Sequence, residues 1–282
     1  MHGLYLLSKK VDVGMSKTTS SLKKKGVIDM IDKKTKYWKF AWDIFHLQIF
    51  DYEGDVERIN DWIKKRNYQV KNILEIGCGA GHYLKYFKKM GYSCVGIDKD
   101  VDILEYAKQV VLQEDKDIEL VWGDILKKSP LLFEKRFDLV LCKHLSFPLV
   151  ELDKVLEYAT KVLNPNGPRL LVFDFLVATK NDLEEEILSI DSAVKDCLFL
   201  VRLNQMRLRK ELKGYRWKEI YIIRDSRNGF TVTKINSRSL WFLSRRELSD
   251  LLVNRNIEIQ NELTEDTGIN NLEGVTIYGK FK

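Results

Sequence analysis

The chain has 282 residues, 45% of them hydrophobic and 31% charged, which is room for one large domain or one domain with an appendage and excludes global disorder. Its formal charge of +6 invites a nucleic-acid partner, but residues 1–40 hold ten lysines against only Asp12, Asp29 and Asp32, so the body beyond them is close to neutral. Four scattered cysteines (Cys78, Cys94, Cys142, Cys197) form no CxxC pair, and no stretch reaches the ~18 apolar residues of a membrane span; both fit a reducing, cytoplasmic setting without a disulfide framework or a zinc site.

The start, MHGLYLLSKK, has neither the basic flank nor the apolar length of a secretory signal, and the Ser/Thr/Lys-rich residues 1–36 read as a mobile basic leader. YWKFAWDIFHLQIF (37–50) carries aromatics at helical spacing, and residues 53–66 form a second amphipathic pattern. Strands then alternate with helices: KNILEIG (71–77), SCVGID (93–98), IELVWGD (118–124), FDLVLC (137–142) and RLLVFDF (169–175), separated by patterns such as YLKYFKKMG and LDKVLEYATKVLN. Short, nearly continuous apolar strands with helical crossovers predict a parallel sheet covered on both faces. Residues 180–243 break this order: an acidic helical segment, NDLEEEILSIDSAV, is expected to lead into a basic helix-like run. A hairpin is expected around Asn228-Gly229. Ser244-Arg245-Arg246-Glu247 has capping-box spacing and opens a last helix before two closing strands. The division is thus a leader (1–36), a helical lid (37–70), an α/β core (71–179), a substrate-side insertion (180–243) and the last helix and strands of the core (244–282).

The chemistry centres on ILEIGCGAGHYL, where a strand runs into Gly77, Gly79 and Gly81 and then a helix. Such a loop offers free amides and the positive end of a helix dipole to a ligand. The dinucleotide fingerprint GxGxxG fails, because His82 stands where its third glycine belongs, and no GK[ST] follows for a phosphate loop. Three carboxylates end up beside the loop: Glu75 just before it, Asp98 at the end of the second strand and Asp124, after Gly123, at the end of the third. A strand-end carboxylate can accept from both ribose hydroxyls, and so many of them disfavour an anionic ligand. The site suits a nucleoside without a strongly anionic tail.

ExGxGxG, the strand-end Asp, the later Gly-Asp and the FDLVLC strand together resemble the class I S-adenosylmethionine-dependent methyltransferases, over residues 71–176 and the final helix and strands. The resemblance implies an α/β, Rossmann-like, seven-stranded doubly wound sheet whose last strand is antiparallel, with an antiparallel β insertion and an N-terminal helical lid. It implies S-adenosylmethionine as cofactor. Gly77, Gly79 and Gly81 would pass under its methionine part, and Asp98 with Lys99 would lie at the ribose. Gly123, Asp124 and Ile125 would lie at the adenine, with the backbone around Cys142 and Lys143 at the ammonium. WDIFHLQIFDYEGDVERI and the insertion EIYIIRDSRNGFTVTKINSRSLWFLSRREL are similar to the leader and β-ribbon of the glycine/sarcosine and nucleotide-aminosugar N-methyltransferases, with Trp42 in place of a Tyr and Ala80 in place of a Thr. By that likeness the aromatic leader is a lid, with Tyr52 on the cofactor and Tyr37 and Trp42 on the acceptor.

Methyl transfer from a sulfonium needs mainly alignment and exclusion of water; an amine acceptor must lose one proton, whereas a hydroxyl benefits from a general base. His144, just after the fourth strand, is the candidate catalytic and acceptor-contacting residue, against the bland reading of a loop cap. Arg216 and Arg238, within a region where thirteen Lys/Arg face five acids (200–250), are candidates for an anionic or nucleotide-linked acceptor. The expected function is methylation of a small molecule, on nitrogen ahead of oxygen, with no metal or membrane and with a homodimer compatible with the sequence. An RNA methyltransferase is the second reading, weakened by the absence of a [DN]PP[YF] tetrapeptide. A cofactor-binding subunit without turnover is the third.

Overall fold

The computed structural model describes residues 33–127, 133, 135–145, 147–180 and 182–282. The basic leader, as far as residue 32, lies outside the described residues, and so does Ser146 in the segment after the fourth strand. The aromatic leader segment is helix α1 (Lys33–Ile49), and Asp51 then caps α2 (Tyr52–Lys65), its side chain accepting from the Gly54 amide at 3.0 Å. The core follows as β1 (Asn72–Ile76), α3 (His82–Lys89), β2 (Ser93–Asp98), α4 (Val101–Tyr106, continued by a π-helical turn), β3 (Glu119–Trp122), β4 (Leu139–Cys142), α5 (Leu149–Val162) and β5 (Leu170–Ala178). After an insertion come the short β10 (Leu243–Ser244), α6 (Arg245–Asn254), β11 (Ile257–Asp266) and β12 (Leu272–Phe281). Both halves of the predicted capping box are present at α6: the Glu247 amide donates to Ser244 Oγ at 3.2 Å, and the Ser244 amide donates to Glu247 Oε2 at 2.9 Å.

The strands lie in the order β11-β12-β5-β4-β1-β2-β3, with β10 added beside β5. β1 to β5 are mutually parallel, and β12 runs antiparallel to β5. Helices on both faces bury the apolar strands. Leu152, Leu156 and Leu251 close one side, and Ile59, Leu84 and Phe87 the other. The chain leaves β1 in one direction towards β2 and β3 and in the other towards β4 and β5. That reversal opens a crevice beyond the carboxyl ends of β1 and β4, where the glycine loop and His144 both sit.

The insertion differs from the sequence expectation. Residues 186–209 are not helical but form β6 (Glu186–Lys195) and β7 (Leu198–Arg209), which join β8 (Gly214–Asp225) and β9 (Thr231–Trp241) in an antiparallel four-stranded sheet. The expected hairpin at Asn228-Gly229 joins β8 and β9, with Gly229 at φ 68°. The face turned to α1 packs Leu198, Leu200, Ile223 and Val232 against Tyr37, Ala41 and Phe45, and carries a polar patch at its centre. The inner rows read Ser189–Asn204–Glu219–Asn236 and Asp191–Arg202–Tyr221–Lys234 across the four strands, and the row between them on the outer face reads Ile190–Leu203–Ile220–Ile235. Ile190 and Ile235 are exposed while Arg202 and Glu219 are buried, so in these central rows the usual hydrophobic-in alternation is inverted, which masks the period of two.

Candidate active site

The glycine loop is held open by β2. The amides of Gly77 and Cys78 both donate to the Ile97 carbonyl (2.7 and 3.2 Å), and the Gly79 amide donates to Asp98 Oδ2 at 2.9 Å. Gly77 lies at φ 69° and Gly81 at φ 81°, the left-handed region that glycine enters without strain. The other oxygen of Asp98 accepts from the Asp100 amide at 2.9 Å, and the Asp98 carbonyl accepts from the Gly123 amide at 2.9 Å. Those contacts bring the ends of β1, β2 and β3 together. Asp124 accepts from the Leu126 amide at 3.1 Å, Ile125 packs half-buried on the core, and the Lys99 carbonyl accepts from Trp122 Nε1 at 3.1 Å while its side chain is exposed. All the residues expected at a nucleoside are therefore gathered at one edge.

Glu75 tests what the crevice fits. It is buried, and its Oε2 has no hydrogen-bond partner among the described residues. Burial, and then the charge of Asp98, push its carboxyl well above the usual range. An orphan buried carboxylate beside open glycine backbone is suited by a cationic ligand and poorly suited by a phosphate. The residues present thus fit a nucleoside sulfonium that also carries an ammonium.

α1 lies across this loop. A Cβ on Gly79 would stand 3.3 Å from the far edge of the Trp42 ring, and Trp42 itself packs on His46 with ring centroids 3.8 Å apart. Buried Asp43 pins the helix down: it accepts from the Tyr106 hydroxyl at 2.8 Å and bonds His82 Nε2 at 2.6 Å, while Lys39 pairs with Asp100. Tyr52 is boxed in by His82, Tyr83, Phe50 and His144, and burial raises its hydroxyl pKa. Tyr37 is elsewhere. Its hydroxyl donates to Asp225 Oδ2 at 2.9 Å, so it joins α1 to the four-stranded sheet rather than to the loop.

At the end of β4, buried Cys142 leads into a network that the sequence did not single out. Lys143 Nζ lies 2.8 Å from Asp174 Oδ1, 3.3 Å from Asp55 Oδ2 and 3.2 Å from Thr276 Oγ1. Burial disfavours its charge, but Asp174 and Asp55 more than reverse this and raise its pKa. His144, at φ 57°, donates its backbone amide to Asp174 Oδ2 at 3.0 Å and stacks on Phe50 with centroids 3.6 Å apart. Tyr83 donates its hydroxyl proton to Asp55 Oδ2 at 2.6 Å, and the Tyr83 hydroxyl oxygen lies 2.7 Å from His144 Nε2. Lys143, Tyr83 and Arg58 together hold Asp55 ionised against the cost of burial. His144 Nδ1 lies 3.4 Å from Asp174 Oδ2, so the ring stands between the Tyr83 hydroxyl on one nitrogen and a carboxylate on the other. Burial pushes the His144 imidazole down to about 4, leaving it neutral at ordinary pH. Asp174 left one trace in the sequence, as a charge in the middle of the apolar strand RLLVFDF. Asp55 reads as an ordinary acid in the first turn of a helix, and Tyr83 as one apolar position of an amphipathic helix.

The two arginines assigned to an acceptor are separated. Arg238 lies on the inner face of the four-stranded sheet, its guanidinium 3.9 Å from the centroid of Trp217, whereas Arg216 alternates with Trp217 onto the exposed outer face. Among the described residues no cluster of His, Cys, Asp or Glu could hold a metal ion, and no helix is long and apolar enough to cross a membrane.

Residues 73–167 match the family described as "Methyltransferase domain". The ribosomal protein L11 methyltransferase of Thermotoga petrophila is 29% identical over 123 residues, which are 43% of this chain and 43% of that protein, so the chain spans less than half of the curated relative it matches. An S-adenosylmethionine-dependent methyltransferase from Clostridium acetobutylicum shares the fold with a TM-score of 0.68 at 17% identity, covering 87% of this chain and 98% of that one. The sugar N-methyltransferase KedS8 from a Streptoalloteichus species does so with a TM-score of 0.66 at 16% identity, covering 86% and 93%. Residues 73–167 thus form a methyltransferase domain, set in a Rossmann-like fold shared with S-adenosylmethionine-dependent methyltransferases.

Proposed function

We propose that the chain methylates an amino group of a small-molecule acceptor. The observation that carries this reading is the setting of His144: an imidazole at the end of β4 beside the glycine loop, in contact with Tyr83 and Asp174, whose basicity burial lowers. So weakly basic a group is a poor general base for an alcohol, whose proton must leave as the bond forms. A neutral amine needs no base to attack and sheds its proton afterwards, so the site favours nitrogen. Its likeness in fold to a sugar N-methyltransferase supports the same choice.

When bound, the cofactor supplies an electrophilic methyl group on a sulfonium. Gly77, Gly79 and Gly81 let it lie against backbone, Asp98 takes the ribose hydroxyls, and Gly123, Asp124 and the Ile125 amide take the adenine. Glu75 and the backbone at Cys142 and Lys143 receive the cationic end. Trp42 and Tyr52 exclude water from above, and His144 touches and orients the acceptor nitrogen. Asp174, Lys143, Asp55 and Tyr83 act through His144 and position it.

The test is calorimetry with S-adenosylhomocysteine together with methyl transfer to amine-bearing and hydroxyl-bearing metabolite pools. Asp98→Ala is expected to weaken binding by roughly ten- to a hundredfold, the loss of hydrogen bonds to a charged group. Unchanged binding in that variant overturns the cofactor assignment, and transfer confined to hydroxyl acceptors overturns the choice of nitrogen.

A further inference from the structure

The outer face of the four-stranded sheet is left uncovered. Buried clusters take up only its inner side chains: Leu198, Leu200, Ile223 and Val232 pack on α1, and Met206 and Tyr215 pack with Ile269 and Leu272. No outward side chain of β6 to β9 joins a buried cluster among the described residues. An antiparallel sheet covered on one side ordinarily turns polar residues to water on the other. Here the two central outer rows read Ile190–Leu203–Ile220–Ile235 and Ser192–Val201–Ile222–Thr233. Leu188 extends the first, and Val194 and Phe199 extend the second. Ile190 is 72% exposed, Val194 69% and Ile235 57%. Apolar residues scattered singly over a surface need no account, but a contiguous block across four strands does.

The face has the size of a stable interface. Each of its strands is 10 to 12 residues long. At a strand spacing of ~4.8 Å and a rise of ~3.4 Å per residue, it projects about 700 Å². A standard complex buries ~800 Å² on each partner.

Charge and shape choose the occupant. Every charge that these strands turn outward lies off the two central rows: Glu186, Arg207, Arg209, Arg216 and Lys218 towards the β7–β8 turn, and Arg224 at the opposite end. Arg207 is paired with Glu186 at 2.9 Å. An uncharged centre with an arginine rim is the composition of a protein–protein contact. Nucleic acid would need cations along the middle of its path, where there are none. Five cations against one carboxylate also repel the basic leader, whose residues 1–32 hold six lysines against three aspartates. A second copy of the same sheet needs no special shape, because two sheets pack face to face about 10 Å apart with their strands within about 30°.

We propose that the outer face of β6 to β9 is the interface of a homodimer, in which two chains stack these sheets into a sandwich. The central rows bury one another, as an isologous contact requires, and the arginines stay at the rim. Since α1 docks on the opposite face of the same sheet, the interface backs the helix that lies across the glycine loop. The proposal is independent of which acceptor is methylated.

Sedimentation velocity of the full chain, from about 0.1 to about 50 µM, tests it. The native chain is expected to sediment as a dimer of 33.1 kDa protomers at the upper end of that range. Ile190→Lys combined with Ile235→Lys places charge on two exposed central positions. It is expected to raise the dimer dissociation constant by about a hundredfold or more, with the far-ultraviolet circular dichroism spectrum unchanged. Because the rim cations oppose association, the native dimer should tighten as salt rises from about 50 to about 500 mM. Arg216→Gln, a change confined to the rim, should tighten it at low salt. A chain monomeric throughout, a dimer that survives the double substitution, or one that loosens with salt overturns the proposal. Dimerisation seen only after residues 1–32 are removed would give the face to the leader, and overturns it too.

Discussion

Tyr83 stands between Asp55 and His144, its hydroxyl oxygen 2.6 Å from Asp55 Oδ2 and 2.7 Å from His144 Nε2. One phenol thus satisfies a carboxylate on α2 and contacts an imidazole after β4, tying the lid to the core at the reacting end of the crevice. Tyr83→Phe removes both links. Asp55 keeps Lys143 and Arg58 but loses a short bond, and the stability loss expected by urea denaturation is about 1–3 kcal/mol. Single-turnover methyl transfer is expected to slow by roughly tenfold through misorientation of His144, with cofactor affinity unchanged by calorimetry. An unaltered single-turnover rate would show that His144 needs no positioning.

The depressed pKa of His144 makes a claim about stability against pH. Its folded value, about 4, lies below the ordinary 6.5 of the unfolded chain, so below pH 6.5 the unfolded state binds a proton that the folded state refuses. The contribution of the neutral imidazole is complete above that value and is lost as pH falls towards 4. The difference in unfolding free energy between the native chain and His144→Gln isolates the effect from other groups. It is expected to be flat above about pH 7 and to shrink between pH 6.5 and 4. A difference that grows on acidification would place a charged histidine there.

Glu75 predicts a proton linked to cofactor binding. Burial and Asp98 raise its carboxyl, so the free protein holds a proton there at pH values where an ordinary glutamate is bare. A cationic ligand favours the ionised form and expels that proton, so affinity for S-adenosylmethionine should rise with pH until Glu75 is ionised in both states. Calorimetry in two buffers of different ionisation enthalpy should register the proton release. Glu75→Gln should abolish it and weaken binding by roughly tenfold. Equal proton release in both proteins would assign the linkage to another group.

The core was legible because its signals are local. Gly77, Gly79 and Gly81 follow an apolar strand, Asp98 and Asp124 end the next two, and Ser244 and Glu247 announce a helix. Each of these is fixed by spacing within a few residues. What spacing hides is anything assembled across the fold. Asp55, Tyr83 and His144 come from α2, α3 and the end of β4, and Asp174 joins them from β5. The helix expected over 186–209 fails for a different reason: the central rows of the sheet bury Asp191, Arg202, Asn204 and Glu219 and expose Ile190 and Ile235. A rule that puts apolar residues inside loses the period of strands whose central residues break it. Arg216 is grouped with the acceptor by composition and Tyr37 by family likeness; the alternation of β8 turns Arg216 to the outer face, and the bond to Asp225 ties Tyr37 to the four-stranded sheet.

Asp43 predicts how the lid is held. Its two oxygens take the Tyr106 hydroxyl at 2.8 Å and His82 Nε2 at 2.6 Å, joining α1 to the elements that flank the glycine loop. Asp43→Ala leaves both partners without their bond in a buried setting, at an expected cost of about 1–3 kcal/mol. Its larger effect should be kinetic, because Trp42, one residue earlier, is the side chain that closes over Gly79. Release of S-adenosylhomocysteine, followed by stopped-flow tryptophan fluorescence, should quicken by about tenfold, with association altered by less than about threefold. Asp43→Asn keeps the size and one acceptor oxygen for Tyr106, and should fall between the two. If release is as slow in Asp43→Ala as in the native chain, α1 packs beside the cofactor without closing over it.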